Sequence, residues 1–301
     1  MLTSLYDYLP VWAWLAQSWR VLPTPTGSLA GKTLLMTGAS GAIVSMATRI
    51  LLDDLDAAHL IFAVPDIPEG PEGAAALAAL PGLRDCAGVS RISVWHLDLL
   101  SFASVRRLAA RAAALARLDG AVMGAGLITT ERTAGPDGWE AMLQVNHLSC
   151  ALLELLLLPT LERSAAAHGG PAVLSAVTSM GVRTSAPSMP APAPGATQLR
   201  AVDAVAAYIG RRQQYGVTKL LHLFFLRELA ARRRGRGVLV HACDFGVSRG
   251  AAGIATVNWE ARLFSSVFGR PPEMCARVVA HSCVPREGEH GVLLLDYDVG
   301  E

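Results

Sequence analysis

Residues 32–43 read KTLLMTGASGAI, an apolar run followed by a glycine-containing turn and the beginning of an apolar helical pattern. A strand that passes through such a turn into a helix leaves backbone N–H groups without partners at the helix N-terminus. These groups form an anion site suited to the pyrophosphate of a dinucleotide. The stretch therefore predicts a strand–turn–helix unit with a phosphate site at the turn.

Strand and helix patterns alternate along most of the chain. Predicted strands cover 33–37, 59–64, 92–96, 119–123, 172–177, 237–242 and 291–295, and predicted helices cover 42–53, 73–80, 102–117, 138–158 and 212–233. This alternation predicts an α/β fold with a doubly wound parallel sheet, whose ligands bind at the carboxyl ends of the strands. We divide the chain into an aromatic-rich N-terminal extension, residues 1–27, and one domain, residues 28–301.

A tyrosine and a lysine stand at helical spacing in a chain that otherwise uses arginine. Only two of its 26 basic residues are lysines, and one of them, Lys219, follows Tyr215 by four positions. Residues i and i+4 share one helix face, and an adjacent cation favours the phenolate form of a tyrosine. The pair predicts an acid/base site that reduces a carbonyl or oxidises an alcohol. The alternative interpretation is two surface residues that happen to share a face.

Further polar residues and small-residue turns follow predicted strands in a defined order. They are Asp98, the turn Met123-Gly124-Ala125-Gly126, Asn146 and Ser179. The order glycine turn, Asp, glycine turn, Asn, Ser and Tyr-x-x-x-Lys, over residues 28–297, resembles the short-chain dehydrogenase/reductase family. The tail Pro271–Arg277, followed by Glu289–Leu294, is similar to the fungal secondary-metabolism branch of that family.

The resemblance implies a Rossmann-like fold and a set of roles. Tyr215 would exchange a proton with the substrate oxygen, and Lys219 would hold the nicotinamide ribose and keep the tyrosine acidic. Ser179 would donate a hydrogen bond to the carbonyl oxygen, and Asn146 would distort its helix to seat a proton-relaying water. Asp98 would bind the adenine amino group. Besides Tyr215 and Lys219, the implied cofactor-binding residues are Gly38, Ser40, Gly41, Ile43, Asp98, Leu99, Ala125, Gly126 and Val247.

The sequence departs from the family pattern on the cofactor side. The last two glycines of the family's Thr-Gly-x-x-x-Gly-x-Gly turn fall on Ala42 and Val44, and we expect the valine side chain to take up cofactor space. The family's Asn-Asn-Ala-Gly has become residues 123–126, and its Pro-Gly after the sixth strand has become Phe245-Gly246. Residues 63–66, Ala-Val-Pro-Asp, lack the arginine that relatives direct at a 2′-phosphate and have no acid at the position where NAD users place one. NADP(H) is therefore favoured over NAD(H) from family habit only, and a chain without cofactor stays an alternative.

These features support several hypotheses of function. The first is an NAD(P)-dependent oxidoreductase that reduces ketones or oxidises alcohols on an apolar secondary metabolite. The second is a non-redox enzyme on the same scaffold, a cyclase, dehydratase or isomerase, that uses Tyr215 and Ser179 for proton transfer with weak or no cofactor binding. The third is a dimerising partner without catalysis.

Amino-acid composition limits the possible binding partners of the protein and the cellular compartment in which it works. A formal net charge of +1 gives no electrostatic basis for binding nucleic acid. The five cysteines contain no Cys-x-x-Cys pair, which predicts free buried thiols in a reducing, cytoplasmic setting and no metal site.

Three segments of the sequence give predictions about membrane contact, subunit assembly and the substrate side of the site. Residues 1–22 are rich in Trp and Tyr but too interrupted to span a bilayer, so we expect them to pack across the protein surface or to contact a membrane interface. Residues 151–158 are apolar on every side, which predicts a buried helix. In the resembled family this helix and the Tyr/Lys helix form a four-helix subunit contact, which implies a homodimer or homotetramer. The proline-rich segment at about 183–211 is expected to cap the substrate side.

Overall fold

The structure is a computed structural model, and it describes residues 18–80, 82–84, 86, 88–183, 185–204, 211–249 and 259–300. Within them one eight-stranded sheet has the order β3-β2-β1-β4-β5-β6-β7-β8. Its strands are β1 (Thr33–Thr37), β2 (His59–Val64), β3 (Ile92–His96), β4 (Gly120–Met123), β5 (Ala172–Val177), β6 (Val238–Asp244), β7 (Leu293–Leu295) and β8 (Asp298–Gly300). Strands β1 to β7 pair in parallel and β8 is antiparallel to β7, which confirms the predicted doubly wound sheet.

Helices connect the strands and cover both faces of the sheet. They are α1 (Ala42–Arg49), α2 (Pro71–Ala78), α3 (Phe102–Ala113), α4 (Ala141–His168), α5 (Gln198–Asp203), α6 (Arg211–Arg233), α7 (Trp259–Phe268) and α8 (Pro272–His281). Helix α1 continues into a π-helical turn, Ile50–Asp54, and α4 contains a second one, Gln144–Ser149. Helices α5, α7 and α8 and strand β8 were not predicted from the sequence.

Two apolar cores lie on opposite faces of the sheet. One joins α3, α4 and α6 through Leu108, Leu157 and Leu226, all buried. The other joins α1 and α8 through Ala47 and Val279. Every residue of β5 is buried, because helices cover a central parallel strand on both sides. The strands therefore read as continuous apolar runs rather than alternating patterns.

Helix α4 extends ten residues beyond its predicted end at 158. Pro159 lies inside the helix and lacks the N–H that would bond the Leu155 carbonyl. Both residues are exposed, so water can satisfy that carbonyl and the helix continues to His168. By length and mean hydropathy of 1.6 the helix could cross a membrane, but 78% of its most apolar window is buried inside the domain. It is a core helix, as the pattern of residues 151–158 predicted.

The described part of the N-terminal extension packs against α8 and the β7–β8 hairpin. Leu22 is 1% exposed, and its N–H donates to Met274 Sδ at 3.3 Å. The Arg277 guanidinium donates to the Leu22 carbonyl, and the Tyr297 hydroxyl donates to the Pro23 carbonyl at 2.7 Å. Residues 18–27 therefore lie across the domain surface. Most of the segment behind the membrane-contact hypothesis, residues 1–17, lies outside the described residues.

The proline-rich segment at about 183–211 is anchored through its C-terminal half. Helix α5 buries Val202 in a small apolar cluster, and the Arg200 guanidinium lies 4.0 Å from the centroid of the Trp139 ring. Asp203 Oδ1 accepts a hydrogen bond from the Glu140 N–H at 2.8 Å. These contacts fix α5 against the start of α4, while residues 184 and 205–210 lie outside the described residues.

Candidate active site

The predicted site residues lie at the carboxyl ends of neighbouring strands. Gly38, Ser40, Gly41 and Ile43 follow β1; Asp98 and Leu99 follow β3; Ala125 and Gly126 follow β4; Ser179 follows β5; and Val247 follows β6. Asn146 is on α4, and Tyr215 and Lys219 are on α6. Because parallel strands present their carboxyl ends at one edge, these residues form a row along that edge. The chain reverses its direction of winding between β1 and β4, where α/β sheets open a binding crevice.

Lys219 is the buried charge at the centre of this row. Its side chain is 4% exposed, and Nζ donates to the carbonyl of Val177, the last residue of β5, at 2.8 Å. Nζ lies 6.0 Å from the centroid of the Tyr215 ring, and Tyr215 is half-buried. Tyr215 and Lys219 therefore share a face of α6 that is directed at the end of β5.

Asn146 links the turn after β4 to helix α6. Its Oδ1 accepts the Leu127 N–H at 2.8 Å, and its Nδ2 donates to the Leu127 carbonyl at 2.9 Å and to Thr218 Oγ1 at 3.1 Å. The residue is fully buried within the π-helical turn of α4. A Cβ atom added to Gly126 would lie 3.6 Å from both Asn146 Oδ1 and Lys219 Nζ. The turn after β4, α4 and α6 therefore meet at these residues.

Ser179 lies beside the turn of α6 that carries Tyr215. Its Oγ accepts the Gly181 N–H at 3.2 Å. A Cβ atom added to Gly181 would lie 3.5 Å from Ser179 Oγ and 3.5 Å from the Cα of Gly216, the residue after Tyr215. The structure thus brings Ser179 to the same end of the row as Tyr215 and Lys219.

The glycine turn after β1 is closed against the turn after β4. Gly38 has φ +72°, and an added Cβ would lie 2.6 Å from the Ala125 nitrogen. The Ala125 N–H donates to Thr37 Oγ1 at 3.1 Å, which holds the two turns together. Only glycine fits at position 38. Ser40 and Gly41 are exposed at the N-terminus of α1 and Ile43 is half-buried, so the first N–H groups of this helix are accessible.

Val44, at the last glycine position of the family's turn, packs in the protein interior. Its side chain is 6% exposed and belongs to the apolar core that contains α1 and α8. A Cβ atom on Gly124 would lie 3.0 Å from Val44 Cγ2 and 2.8 Å from the Thr37 carbonyl oxygen. The glycine at 124, where the family has Asn, leaves the room that Val44 fills. Glycine at 124 thus avoids contact with the Thr37 backbone as well as with Val44.

The remaining predicted cofactor residues lie at the two ends of the row. Asp98 is half-buried, and its Oδ1 accepts the Leu100 N–H at 2.8 Å, which orients the carboxylate. Leu99 is buried, and its carbonyl accepts the Ser149 hydroxyl at 2.6 Å. Val247 is half-buried, and its carbonyl accepts the Arg270 N–H at 2.9 Å.

Burial controls the titration of several groups near the site. Burial, together with the smaller effect of nearby His222, lowers the pKa of His147 to about 3, so the imidazole is neutral at physiological pH. Burial raises the pKa of Cys150 to about 12, and that of Asp244, at the end of β6, is also raised by burial. His222 Nε2 lies 3.3 Å from buried Glu154 Oε1 in the contact between α4 and α6. All five cysteines are buried and free, as predicted.

Two participants in this arrangement were not identified from the sequence. The Val177 carbonyl is a backbone group, and no residue pattern marks it. Thr218 Oγ1 accepts from Asn146 and donates to the Tyr215 carbonyl at 2.8 Å. Its position between Tyr215 and Lys219 in the Tyr-x-x-x-Lys pattern is a signal that could have pointed to it.

Comparisons with known proteins support the resemblance. The chain is 30% identical over 280 residues to the short-chain dehydrogenase/reductase ffsI of Aspergillus flavipes, covering 89% of this chain and 77% of that protein. Among solved structures, the Pseudomonas aeruginosa RhlG/NADP active-site complex aligns with a TM-score of 0.62 and 25% identity, over 89% of this chain and 95% of that one.

A third comparison concerns the fold. The Brucella melitensis 3-ketoacyl-(acyl-carrier-protein) reductase, complexed with NADH, aligns with a TM-score of 0.62 and 20% identity, over 89% of this chain and 97% of that one. A scan against protein-family models finds no match. The chain belongs to the short-chain dehydrogenase/reductase family of oxidoreductases, and the fungal resemblance predicted from its ordered motifs is confirmed.

The packing of Val44 generates a stability prediction. Val44→Ala should lower the free energy of unfolding by roughly 2 kcal/mol, because it removes buried methyl groups and leaves a cavity. Ala42→Gly, two positions away on the exposed side of the same turn, should change it by less than about 1 kcal/mol. Urea denaturation of the two variants measures both values. Equal, small losses would show that Val44 does not pack in the core.

Proposed function

We propose that this chain is an NAD(P)-dependent oxidoreductase that reduces a ketone, or oxidises the corresponding alcohol, on an apolar secondary-metabolite substrate. The observation that carries the proposal is the buried ammonium of Lys219, held by the Val177 carbonyl on the α6 face that it shares with Tyr215. Desolvating a lysine is costly, so a buried one with a single carbonyl partner favours a functional over a structural role. Family membership adds the reaction class.

The carboxyl edge fits a nicotinamide dinucleotide. From β3 to β5 the row crosses four strand spacings of about 4.8 Å, roughly 19 Å, which suits an extended ligand with two ends. The closed turn at Gly38 and the accessible N–H groups of α1 suit the pyrophosphate near the middle. Gly126 keeps the space beside Lys219 Nζ free of side-chain atoms. When bound, the cofactor would supply or accept the hydride.

The protein residues would then hold and move protons. Lys219 Nζ would donate to the ribose hydroxyls and favour the phenolate of Tyr215, whose hydroxyl would exchange the proton with the substrate oxygen. Ser179 Oγ would donate a hydrogen bond to that oxygen and stabilise its developing charge. Asn146 would keep the helix in its π-helical turn, where a water could relay protons towards Lys219. Asp98 would bind the adenine amino group at the other end of the row.

The choice of NADP(H) over NAD(H) rests on family habit, supported by the RhlG complex with NADP. The fold accommodates either cofactor, since a neighbour of the same architecture is complexed with NADH. Pro65 and Asp66, after β2, are exposed and lie where this discrimination would be made.

A non-redox reaction on this scaffold is the alternative, because Tyr215 and Ser179 can transfer protons without a hydride donor. Two of the departures that suggested it, at Val44 and Gly124, lie next to each other, and the glycine turn beside them is closed at Gly38. The alternative predicts turnover in cofactor-free protein that still depends on Tyr215.

The catalytic assignment predicts that Tyr215→Phe lowers kcat by about 10²–10⁴-fold, because it removes the proton donor while keeping the ring. Lys219→Arg should be similarly damaging, because a planar guanidinium cannot replace a compact ammonium. NADPH oxidation with a panel of apolar cyclic ketones measures both. Tyr297→Phe, the matched change at a tyrosine whose hydroxyl donates to the Pro23 carbonyl, should keep wild-type activity. Activity retained in both site variants would overturn the assignment.

Cofactor binding decides between the redox and non-redox proposals. NADPH should raise the melting temperature of the wild-type protein, because a ligand that binds only the folded state stabilises it by mass action. NADH should give a smaller shift at equal concentration if NADP(H) is the preferred cofactor. Thermal denaturation with each nucleotide measures this. No shift with either, together with Tyr215-dependent turnover, would establish the non-redox alternative.

We also propose that the faces of α4 and α6 form a homodimer or homotetramer contact. Leu155 and Leu156 on α4 and Phe224 on α6 are 44%, 38% and 52% exposed, respectively, an apolar surface that association would cover. We further propose that residues 1–22 contact a membrane surface. Within the described part of this segment, the exposed side chains of Trp19 and Val21 support the proposal.

The subunit contact predicts that Leu155→Glu gives monomers or aggregates, because a charge in the interface is desolvated without a partner. Leu263→Glu on α7, 56% exposed, is the matched control and should keep the wild-type assembly. Light scattering after size exclusion measures the mass. A monomeric wild-type protein would overturn the proposal.

A further inference from the structure

The segment after β6 is fixed by a buried arginine. Arg270 is 1% exposed; its N–H donates to the Val247 carbonyl at 2.9 Å, and its carbonyl accepts the Arg249 N–H at 2.9 Å. Arg249 Nη2 also donates to the Gly269 carbonyl at 3.1 Å. The path of residues 247–249 is therefore set by the position of Arg270.

The side chain of Arg270 is held by the carboxylate of Asp296 in the β7–β8 turn. Arg270 Nη1 pairs with Asp296 Oδ1, and the other oxygen of the same carboxylate accepts Arg20 Nη1 at 3.0 Å. Arg20 Nη2 donates to Asp298 at 3.0 Å. Asp296 has φ +59°, a conformation that its two arginine partners hold in place. An arginine of the N-terminal extension thus shares a carboxylate with the buried arginine behind the segment.

The segment lies at the end of the site where the chemistry is proposed. Strand β6 pairs with β5, which ends at Val177, the partner of Lys219, and precedes Ser179. Asp98 lies at the opposite end of the row, after β3. A ligand group beside residues 245–249 is therefore the nicotinamide end of a bound dinucleotide and not its adenine end.

We propose that Arg20 is a positioning residue for the nicotinamide end of the cofactor site, acting through Asp296 and Arg270 on residues 247–249. The N-terminal extension is in this sense part of the cofactor site, although Arg20 does not touch the cofactor. The inference rests on the proposed dinucleotide function. Arg20 is half-exposed, so its replacement should keep the fold intact while it releases one of the two arginine contacts of the Asp296 carboxylate.

The test compares two ligands on two variants. Arg20→Gln should weaken NADPH binding about threefold, the size expected for loss of a partly exposed ion pair. It should leave unchanged the binding of 2′-phospho-ADP-ribose, which lacks the nicotinamide. Tyr297→Phe also removes a bond to the extension, to the Pro23 carbonyl, but no bond to Asp296, and should bind both ligands as the wild type does. Isothermal titration calorimetry measures all the dissociation constants.

A second readout does not need the cofactor. Hydrogen exchange of the Arg249 and Arg270 amides should accelerate in Arg20→Gln and not in Tyr297→Phe. Equal NADPH affinity in Arg20→Gln and wild type, or equal weakening of both ligands, would overturn the inference and leave the proposed function standing. A wild-type protein that binds neither ligand would overturn both.

Discussion

The buried ammonium of Lys219 is the constraint around which the site is arranged. A charge that is 4% exposed needs a fixed partner, and the Val177 carbonyl at 2.8 Å provides it at the last residue of β5. That contact sets the register of α6 against the sheet. Gly126 of the turn after β4 adjoins the same ammonium, since a Cβ atom added there would lie in van der Waals contact with Nζ and with Asn146. Helix, strand end and turn are thus coupled through one cation.

The sequence predicted the sheet because its strands are buried on both faces and read as apolar runs. It predicted that the candidate site residues lie together because residues at strand ends in a parallel sheet share an edge. Helix α4 was predicted too short because Pro159 is an ordinary stop signal, and only its exposure explains why the helix passes through it. Helices α5, α7 and α8 have mixed or short patterns, and their positions depend on contacts distant in sequence.

The glycine turn illustrates what a single position cannot reveal. Val44 read alone predicts a blocked phosphate turn, and Gly124 read alone predicts a lost asparagine. In three dimensions a side chain at 124 would meet both Val44 and the Thr37 carbonyl, so the residues allowed at positions 44 and 124 depend on each other. A sequence pattern that scores each position independently does not register this dependence between residues 44 and 124.

The docking of α5 has a consequence for how the substrate side could diversify. Val202 of α5 packs in the same small cluster as Val217, two residues after Tyr215 on α6. Helix α5 and helix α6, which carries Tyr215, therefore share a hydrophobic anchor. Residues 191–197 of the proline-rich stretch are exposed and can be altered without disturbing the tyrosine, whereas Ser185 lies against Gly216 and Met189 packs on the anchor. Substitutions at residues 191–197, natural or designed, can change the surface beside the candidate site while the position of Tyr215 on α6 stays the same.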